Sequence, residues 1–364
     1  ACCSEKQANM AMCSRSGHRW SSNRTMPTCF SMRSVRPWPV LTTDDYLEAA
    51  SLAAPIFGLE PSSITLLSHS ENVVCQLTLP DGAHAALRIH RPGYNSLAEL
   101  RSEVLWVTSL SNFGIPVPTA LSTDTGDHYV SLPVGGQAHH VGVVDWVPGE
   151  PLGSPTGVNG PEVVQHYGRI GKLAAQVRAH HAGWVPPAGF TRRAWDHRGL
   201  VGSAPLWGRF WEVDALSDAQ RRLFSACRDQ LLLDFTNMSF SPGEFGMIHS
   251  DLHLGNLMAD GDSLTMIDFD DAGFGWFAHE LAVALHPVLE EPWEDDARSA
   301  LIDGYRTVHP LSAADEASID AFVTMRSLMI IGWLDARREL PAFEHFGDLA
   351  TQAERISARY LAAT

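Results

Sequence analysis

Apolar positions recur at helical spacing from Thr42 to Pro55, where Tyr46, Leu47, Ala50, Ala53 and Ala54 share one face. The period then shortens. Ile64–Leu67, Val73–Leu79 and Ala85–His90 read as strands, the last two joined by the turn Pro80-Asp81-Gly82. Helical spacing returns over Tyr94–Leu110, with Leu97, Leu100, Val104 and Val107 on one face. Two further strands are expected at Thr119–Ser122 and Val141–Val147, the second closed by Pro148-Gly149-Glu150. Beyond Gly160 helical spacing dominates, broken by a hairpin over Leu257–Met266 around an Asp-Gly turn. The pattern predicts an α+β fold of two lobes: a small β-rich N-lobe over 37–147 and a larger, mainly helical C-lobe over 148–364.

Residues 1–36 lack any apolar period and are rich in Ser, Arg, Met and Cys, which predicts a disordered tail. Their Arg- and Ser-rich, acid-poor character also resembles a transit peptide, and a start at Met26 or Met32 would leave most of them out. The formal charge of −16 argues against nucleic acid or an anionic membrane as partner. No apolar run reads as long enough to span a bilayer. Four of the six cysteines fall in the first thirty residues without a Cys-x-x-Cys pair, so a reducing, cytoplasmic setting without a structural metal is expected. Oligomeric state leaves no trace in the pattern.

Chemistry concentrates in two stretches, His249-Ser250-Asp251-Leu252-His253-Leu254-Gly255-Asn256 and Ile267-Asp268-Phe269-Asp270-Asp271. Folding the intervening hairpin about position 262 places Asn256 opposite Asp268, with Asp251 in the loop just before. An amide oxygen and a carboxylate suit Mg²⁺, and a further carboxylate suits a general base for a hydroxyl group. This is the spacing of the His-x-Asp-x-x-x-x-Asn loop and metal aspartate of protein-kinase-like enzymes. Two rivals stand beside it. Asp, Asn and Gly also cluster where a chain merely turns, and His249, Asp251 and His253 share one face of an extended segment as hydrolase metal ligands would. Neither accounts for Asn256 together with Ile267-Asp268-Phe269.

With Ser70-Glu71-Asn72-Val73-Val74 and Leu87-Arg88-Ile89-His90-Arg91-Pro92-Gly93-Tyr94 added, the chain resembles the aminoglycoside phosphotransferase and choline-kinase-like family, near its homoserine kinase type II and stress-response kinase branch, over roughly Ile64 to Leu340. The resemblance implies a two-lobed protein-kinase-like fold with ATP between the lobes. It implies Asp251 as base and Asn256 and Asp268 as Mg²⁺ ligands. It also implies phosphate contacts from Ser70, Asn72 and Arg88, and a hinge at Val144 with Asp145, Trp146 and Val147 around adenine. Lysine occurs only at positions 6 and 172, so arginine must take the usual lysine's place on the phosphates. Glu103 is the expected helix partner of Arg88, with Glu99 as runner-up; Asp270 reads either as help for a second ion or as an exposed turn acid. Ser250 stands where glycine is common, and Glu280 replaces the aspartate that pins the catalytic loop.

The acceptor is less legible. Trp195, Trp207, Trp211, Trp276, Trp293 and Trp333, with acids such as Glu290, Glu294 and Asp335, would suit a cationic alcohol. The same residues also read as core aromatics and a solvated helix start. The expected activity is ATP- and Mg²⁺-dependent phosphorylation of a small-molecule hydroxyl, in an amino alcohol, an aminoglycoside or a homoserine-like compound. A protein Ser/Thr kinase and a catalytically weak nucleotide-binding protein of the same fold stay open as alternatives.

Overall fold

In the computed structural model, which describes residues 41–70, 72–153 and 160–364, the chain opens with helix α1 (Thr43–Ala53). The expected tail over 1–36 and Glu71 lie outside the described residues. Thr42 caps α1 by accepting from the Asp45 amide while Asp45 bonds back, a reciprocal cap of the kind that adds about 1 kcal/mol. Tyr46, Ala50 and Ala53 are buried on the expected face.

Strands β1 (Ser63–His69), β2 (Val73–Thr78) and β3 (His84–Ile89) form an antiparallel meander. Helix α2 (Leu97–Phe113) follows, capped by Ser96 with Glu99 and stopped by Gly114 at φ 92°. Strands β4 (Val130–Val134) and β5 (Gln137–Asp145) complete a five-stranded sheet in the order β1-β2-β3-β5-β4. Alternation decides which side chains face where. Val73, Cys75, Leu77, Ala85, Leu87 and Ile89 are buried on one side, whereas Val74, Ala86 and Arg88 lie on the other.

The fourth strand differs from expectation. Thr119–Ser122 makes one isolated bridge, Ala120 to Val144, and the true partner of β5 is Val130–Val134. Pro133 obscures that strand in the sequence, but β4 lies at the sheet edge, where a missing N–H leaves no ladder bond unmade.

After the short strand β6 (Glu150–Pro151) the chain is mainly helical. Helix α3 (Val164–Gly183), strand β7 (Ala194–Trp195), and helices α4 (His197–Val201) and α5 (Asp218–Thr236) lead to strands β8 (Phe245–Ile248), β9 (Leu257–Asp260), β10 (Ser263–Met266) and β11 (Gly273–Trp276). The last four helices are α6 (Phe277–Leu285), α7 (Glu294–Arg306), α8 (Ala313–Asp335) and α9 (Phe346–Ala363). Glycines let α3 and α7 touch: a Cβ on Gly304 would stand 1.9 Å from the Gly168 carbonyl oxygen. Against the expectation that no apolar run is long enough, α8 could cross a bilayer by length and composition. Yet 67% of its apolar window is buried, as befits the central helix of this core.

Candidate active site

The β9–β10 hairpin pairs Asp260 with Ser263 and Leu257 with Met266, so its turn is the two residues Gly261 and Asp262. Asn256 therefore falls opposite Ile267, whose N–H donates to the Asn256 carbonyl at 3.0 Å, one residue short of the expected Asp268. Asp268 reaches the site by another route. Its backbone adopts φ 61°, a left-handed conformation uncommon for aspartate, which turns the chain just after the ladder ends.

Side-chain hydrogen bonds fix the loop around Asp251. The Asp251 N–H donates to His249 Nδ1 at 3.3 Å, so His249 Nε2 carries the proton and donates to the Ile267 carbonyl at 2.9 Å. Burial pulls the His249 pKa down, in keeping with that neutral ring. Glu280 accepts from the amides of His249 and Ser250, so the longer acid still pins the loop. Burial pushes its carboxyl up to about 8 despite these donors. Ser250 sits at φ 67°, which gives the physical reason for glycine being common there.

Asp251 and Asn256 meet directly. Asn256 Nδ2 donates to the Asp251 carbonyl at 2.9 Å and to its Oδ2 at 3.1 Å, leaving the Asn256 amide oxygen without a hydrogen-bond donor among the described residues. Arg326, on α8, donates to Asp251 Oδ1 at 2.5 Å. Burial pushes the Asp251 carboxyl up, but His253 and Arg326 outweigh it and hold the group well below the usual carboxylate range.

A cavity of about 440 Å³ lies between the sheet and this loop. Ser70, Arg88, Glu103, Asp145, Trp146, Val147, Asn256 and Asp268 all line it. Gly142 pairs with Arg88 across β3 and β5, and a Cβ there would stand 2.7 Å from the Tyr129 ring. Asp251 is not part of this lining, but it is bonded to Asn256, which is. Such a volume suits a nucleotide-sized ligand.

Arg88 is enclosed by carboxylates: 2.6 Å from Asp268, 3.3 Å from Asp270 and 3.9 Å from Glu103. Glu103 is thus the helix partner, while Glu99 is spent on the α2 cap. Burial, then the neighbouring Asp270, pushes the Glu103 carboxyl up against the pull of Arg192 and Arg88.

Two expectations fail here. Asp270 is no exposed turn acid: it is 3% exposed, bonded by Asn72 and flanked by Arg88 and His90. Burial would raise its pKa, but Arg88 and His90 hold it low. Asn72, expected on the phosphates, is buried instead, donating to Asp270 and accepting from the Arg91 amide at 3.3 Å. A glycine-free loop has to satisfy its own polar side chains, and Asp270 does so for Asn72.

The acids proposed for a cationic acceptor are already engaged. Glu290 holds Arg355, Asp335 holds Arg338, and Glu294 accepts from the Glu290 amide at 2.8 Å. Glu294, Asp295 and Asp296 form the first turn of α7, where negative charge favours the helix. Trp195, Trp207 and Trp276 are core residues, and Trp211, Trp293 and Trp333 pack against that core.

Sequence reasoning missed Arg326 and Arg192. A single arginine amid Ala321–Trp333, an otherwise mostly apolar run, was the available signal for the first. Arg192 is fully enclosed, binding Glu103 at 3.3 Å and the carbonyls of Phe269, Asp270 and Ala272, so it ties α2 to the Asp268 loop.

The donor set fits a divalent cation: a carboxylate on Asp268 whose side chain is 40% exposed, and the uncommitted amide oxygen of Asn256. Among the described residues no group of three or more His, Cys, Asp or Glu is arranged to hold a metal ion by itself. Such an ion would therefore share its coordination with phosphate oxygens, the usual arrangement for Mg²⁺.

The chain is similar to known phosphotransferases. Amicoumacin kinase of Bacillus subtilis (strain 168) is 24% identical over 294 residues, covering 78% of this chain and 82% of that protein. The structure of a microcompartment-associated aminopropanol kinase superposes with a TM-score of 0.74 at 27% identity, covering 87% of this chain and 98% of the other. An amicoumacin kinase in complex with AMP-PNP, Ca²⁺ and Ami superposes with a TM-score of 0.69 at 22% identity, covering 86% and 93%. The family model described as "Phosphotransferase enzyme family" matches residues 63–322, from the first strand of the sheet into α8. The protein-kinase-like α+β fold, the cavity beside the Asp251 loop and this match lead to one assignment: the chain belongs to the phosphotransferase enzyme family.

Proposed function

We propose that the protein transfers the γ-phosphoryl group of Mg²⁺-bound ATP to a hydroxyl group of a small molecule, in an amino alcohol, an aminoglycoside or a homoserine-like compound. Asp251 accepts the hydroxyl proton as the oxygen attacks phosphorus. Arg88, paired to Glu103, and Ser70 hold the phosphates from the sheet side. Asp145, Trp146 and Val147 border adenine where β5 ends. Asn256 and Asp268 would hold Mg²⁺, which would supply positive charge against the phosphates.

The observation that carries this reading is the double use of Asn256. Its Nδ2 is bound to Asp251 while the residue lines the cavity beside Asp268, so one side chain sets the base relative to the metal position. The aminopropanol and amicoumacin kinases, by their names, act on small molecules, which supports a small acceptor here.

An ADP-release screen with Mg²⁺–ATP tests it, using amino alcohols, aminoglycosides, homoserine and a generic protein substrate. Acceptor-dependent ADP release with a small hydroxyl compound is expected. Faster phosphorylation of the protein would move the reading to a protein kinase, and no release with any acceptor would end it.

A further inference from the structure

The catalytic loop tethers one side of the Asp251 carboxylate: Oδ2 takes the Asn256 amide at 3.1 Å and lies 3.4 Å from His253 Nε2. The other oxygen, Oδ1, is held by Arg326 at 2.5 Å, from a helix 75 residues further along the chain. Two tethers from opposite elements fix the carboxylate plane, where either one alone would leave it free to rotate.

Arg326 is itself fixed. It is 6% exposed, and its guanidinium carbon lies 4.7 Å from the centre of the Trp207 ring, within cation–π range. Trp207 Nε1 donates to the Tyr94 hydroxyl at 3.1 Å, and that hydroxyl donates to Asp271. A line of contacts thus runs from Asp251 through Arg326 and Trp207 to the loop that follows β3. A buried arginine in an apolar helix carries a large desolvation cost, and an apolar residue of similar volume is usually no worse for stability. Packing alone therefore gives no reason for arginine at this position.

We propose that Arg326, seated on Trp207, is a positioning residue for phosphoryl transfer that fixes the orientation of the Asp251 carboxylate towards the acceptor hydroxyl. The inference rests on the reading of Asp251 given above. In the transfer, a bond forms between the acceptor oxygen and the γ-phosphorus. The bond from that phosphorus to the β–γ bridging oxygen breaks, ADP departs with its electron pair, and the hydroxyl proton passes to Asp251. Arg326 makes and breaks no covalent bond. In a loose transition state proton transfer lags behind cleavage, so aim matters more than base strength, and a guanidinium that weakens the base while aiming it is tolerable.

The test is a pair of double-mutant cycles on the full chain, with Arg326→Met, Asp251→Asn and both together. In turnover, Arg326→Met should lose about thirtyfold or more in kcat, with KM for ATP changed less than about twofold. The double variant should be no slower than Asp251→Asn alone, because a residue that acts through Asp251 has nothing left to act on. Arg326→Lys, which keeps the charge and loses the fork, should recover part of the rate. In urea unfolding, which needs no turnover, the same cycle should show a coupling between the two positions. Rate losses that multiply, an unchanged kcat in Arg326→Met, or absence of coupling in unfolding overturns the proposal. If Arg326→Met does not fold, Arg326→Lys decides by the same comparison: slower in the native background and without effect beside Asp251→Asn. Coupling in unfolding from a protein that phosphorylates no acceptor would leave the pairing standing and defeat the phosphotransferase reading instead.

Discussion

Arg88 Nη2 lies 2.6 Å from Asp268 Oδ1, joining the central strand of the sheet to the loop that follows the hairpin. The contact brings together two groups with opposite proposed tasks, a cation for phosphate oxygens and a carboxylate for a metal ion. Substitution should separate them. Asp268→Ala removes the one carboxylate assigned to Mg²⁺, so ATP binding should lose its dependence on Mg²⁺. Arg88→Lys keeps the charge but loses the fork, and should weaken Mg²⁺–ATP binding by about tenfold while the Mg²⁺ dependence persists. Calorimetry with ATP, with and without Mg²⁺, measures both. Equal Mg²⁺–ATP affinity in the native protein and in Asp268→Ala would remove Asp268 from the metal site.

Asp251→Asn keeps the shape of the side chain and removes the proton acceptor. Turnover should fall about a hundredfold or more, while ATP affinity stays within about twofold, since Asp251 lies outside the cavity lining. Near-normal turnover in this variant would take the role of base away from Asp251.

Glu280 links the loop to pH. Its folded pKa of about 8 lies above the usual value of 4.5, so the folded protein binds the proton more tightly than the unfolded chain. The stability this contributes is complete below about pH 4.5, declines as pH rises towards about 8, and is constant above that, with a slope of at most about 1.4 kcal/mol per pH unit. Glu280→Gln has no such proton to lose. Its melting temperature should therefore gain on that of the native protein as pH rises from about 5 to about 8. A difference that stays flat across this window speaks against the raised pKa.

The α3–α7 contact leaves no room for a side chain. Gly304→Ala would put a methyl group 1.9 Å from the Gly168 carbonyl oxygen, so one helix must move. A loss of about 1–3 kcal/mol is expected, read as a lower urea midpoint at unchanged slope. ATP affinity should hold, because neither glycine lines the cavity. A midpoint equal to that of the native protein would mean that the helices are less closely packed than this geometry requires.

Much of the proposed site was legible because it is local. Asp251, Asn256 and Asp268 lie within a single loop and hairpin, where residue type and spacing carry the chemistry directly. Arg88 came from the family resemblance, and the structure places it on the opposite side of its strand from Leu87 and Ile89. The hairpin register was misread by one residue. Pairing depends on how many residues the turn consumes, and the turn here consumes two, with Gly261 at φ 54°.

The sequence by itself determined the fold class, the order of strands and helices through α2, and the set of groups able to handle a phosphoryl transfer. Tertiary structure alone decided how those groups are held. Asp251, Asp270 and Glu103 gain Arg326, Asn72 and Arg192 as further partners, each from a distant element. It also decided that Asp270 is buried and that Glu294, Asp295 and Asp296 form the first turn of α7. Periodicity reports which face of an element is apolar. It carries no record of which distant side chain will meet a polar group, because that choice is made only when burial removes water and every remaining charge must find a partner.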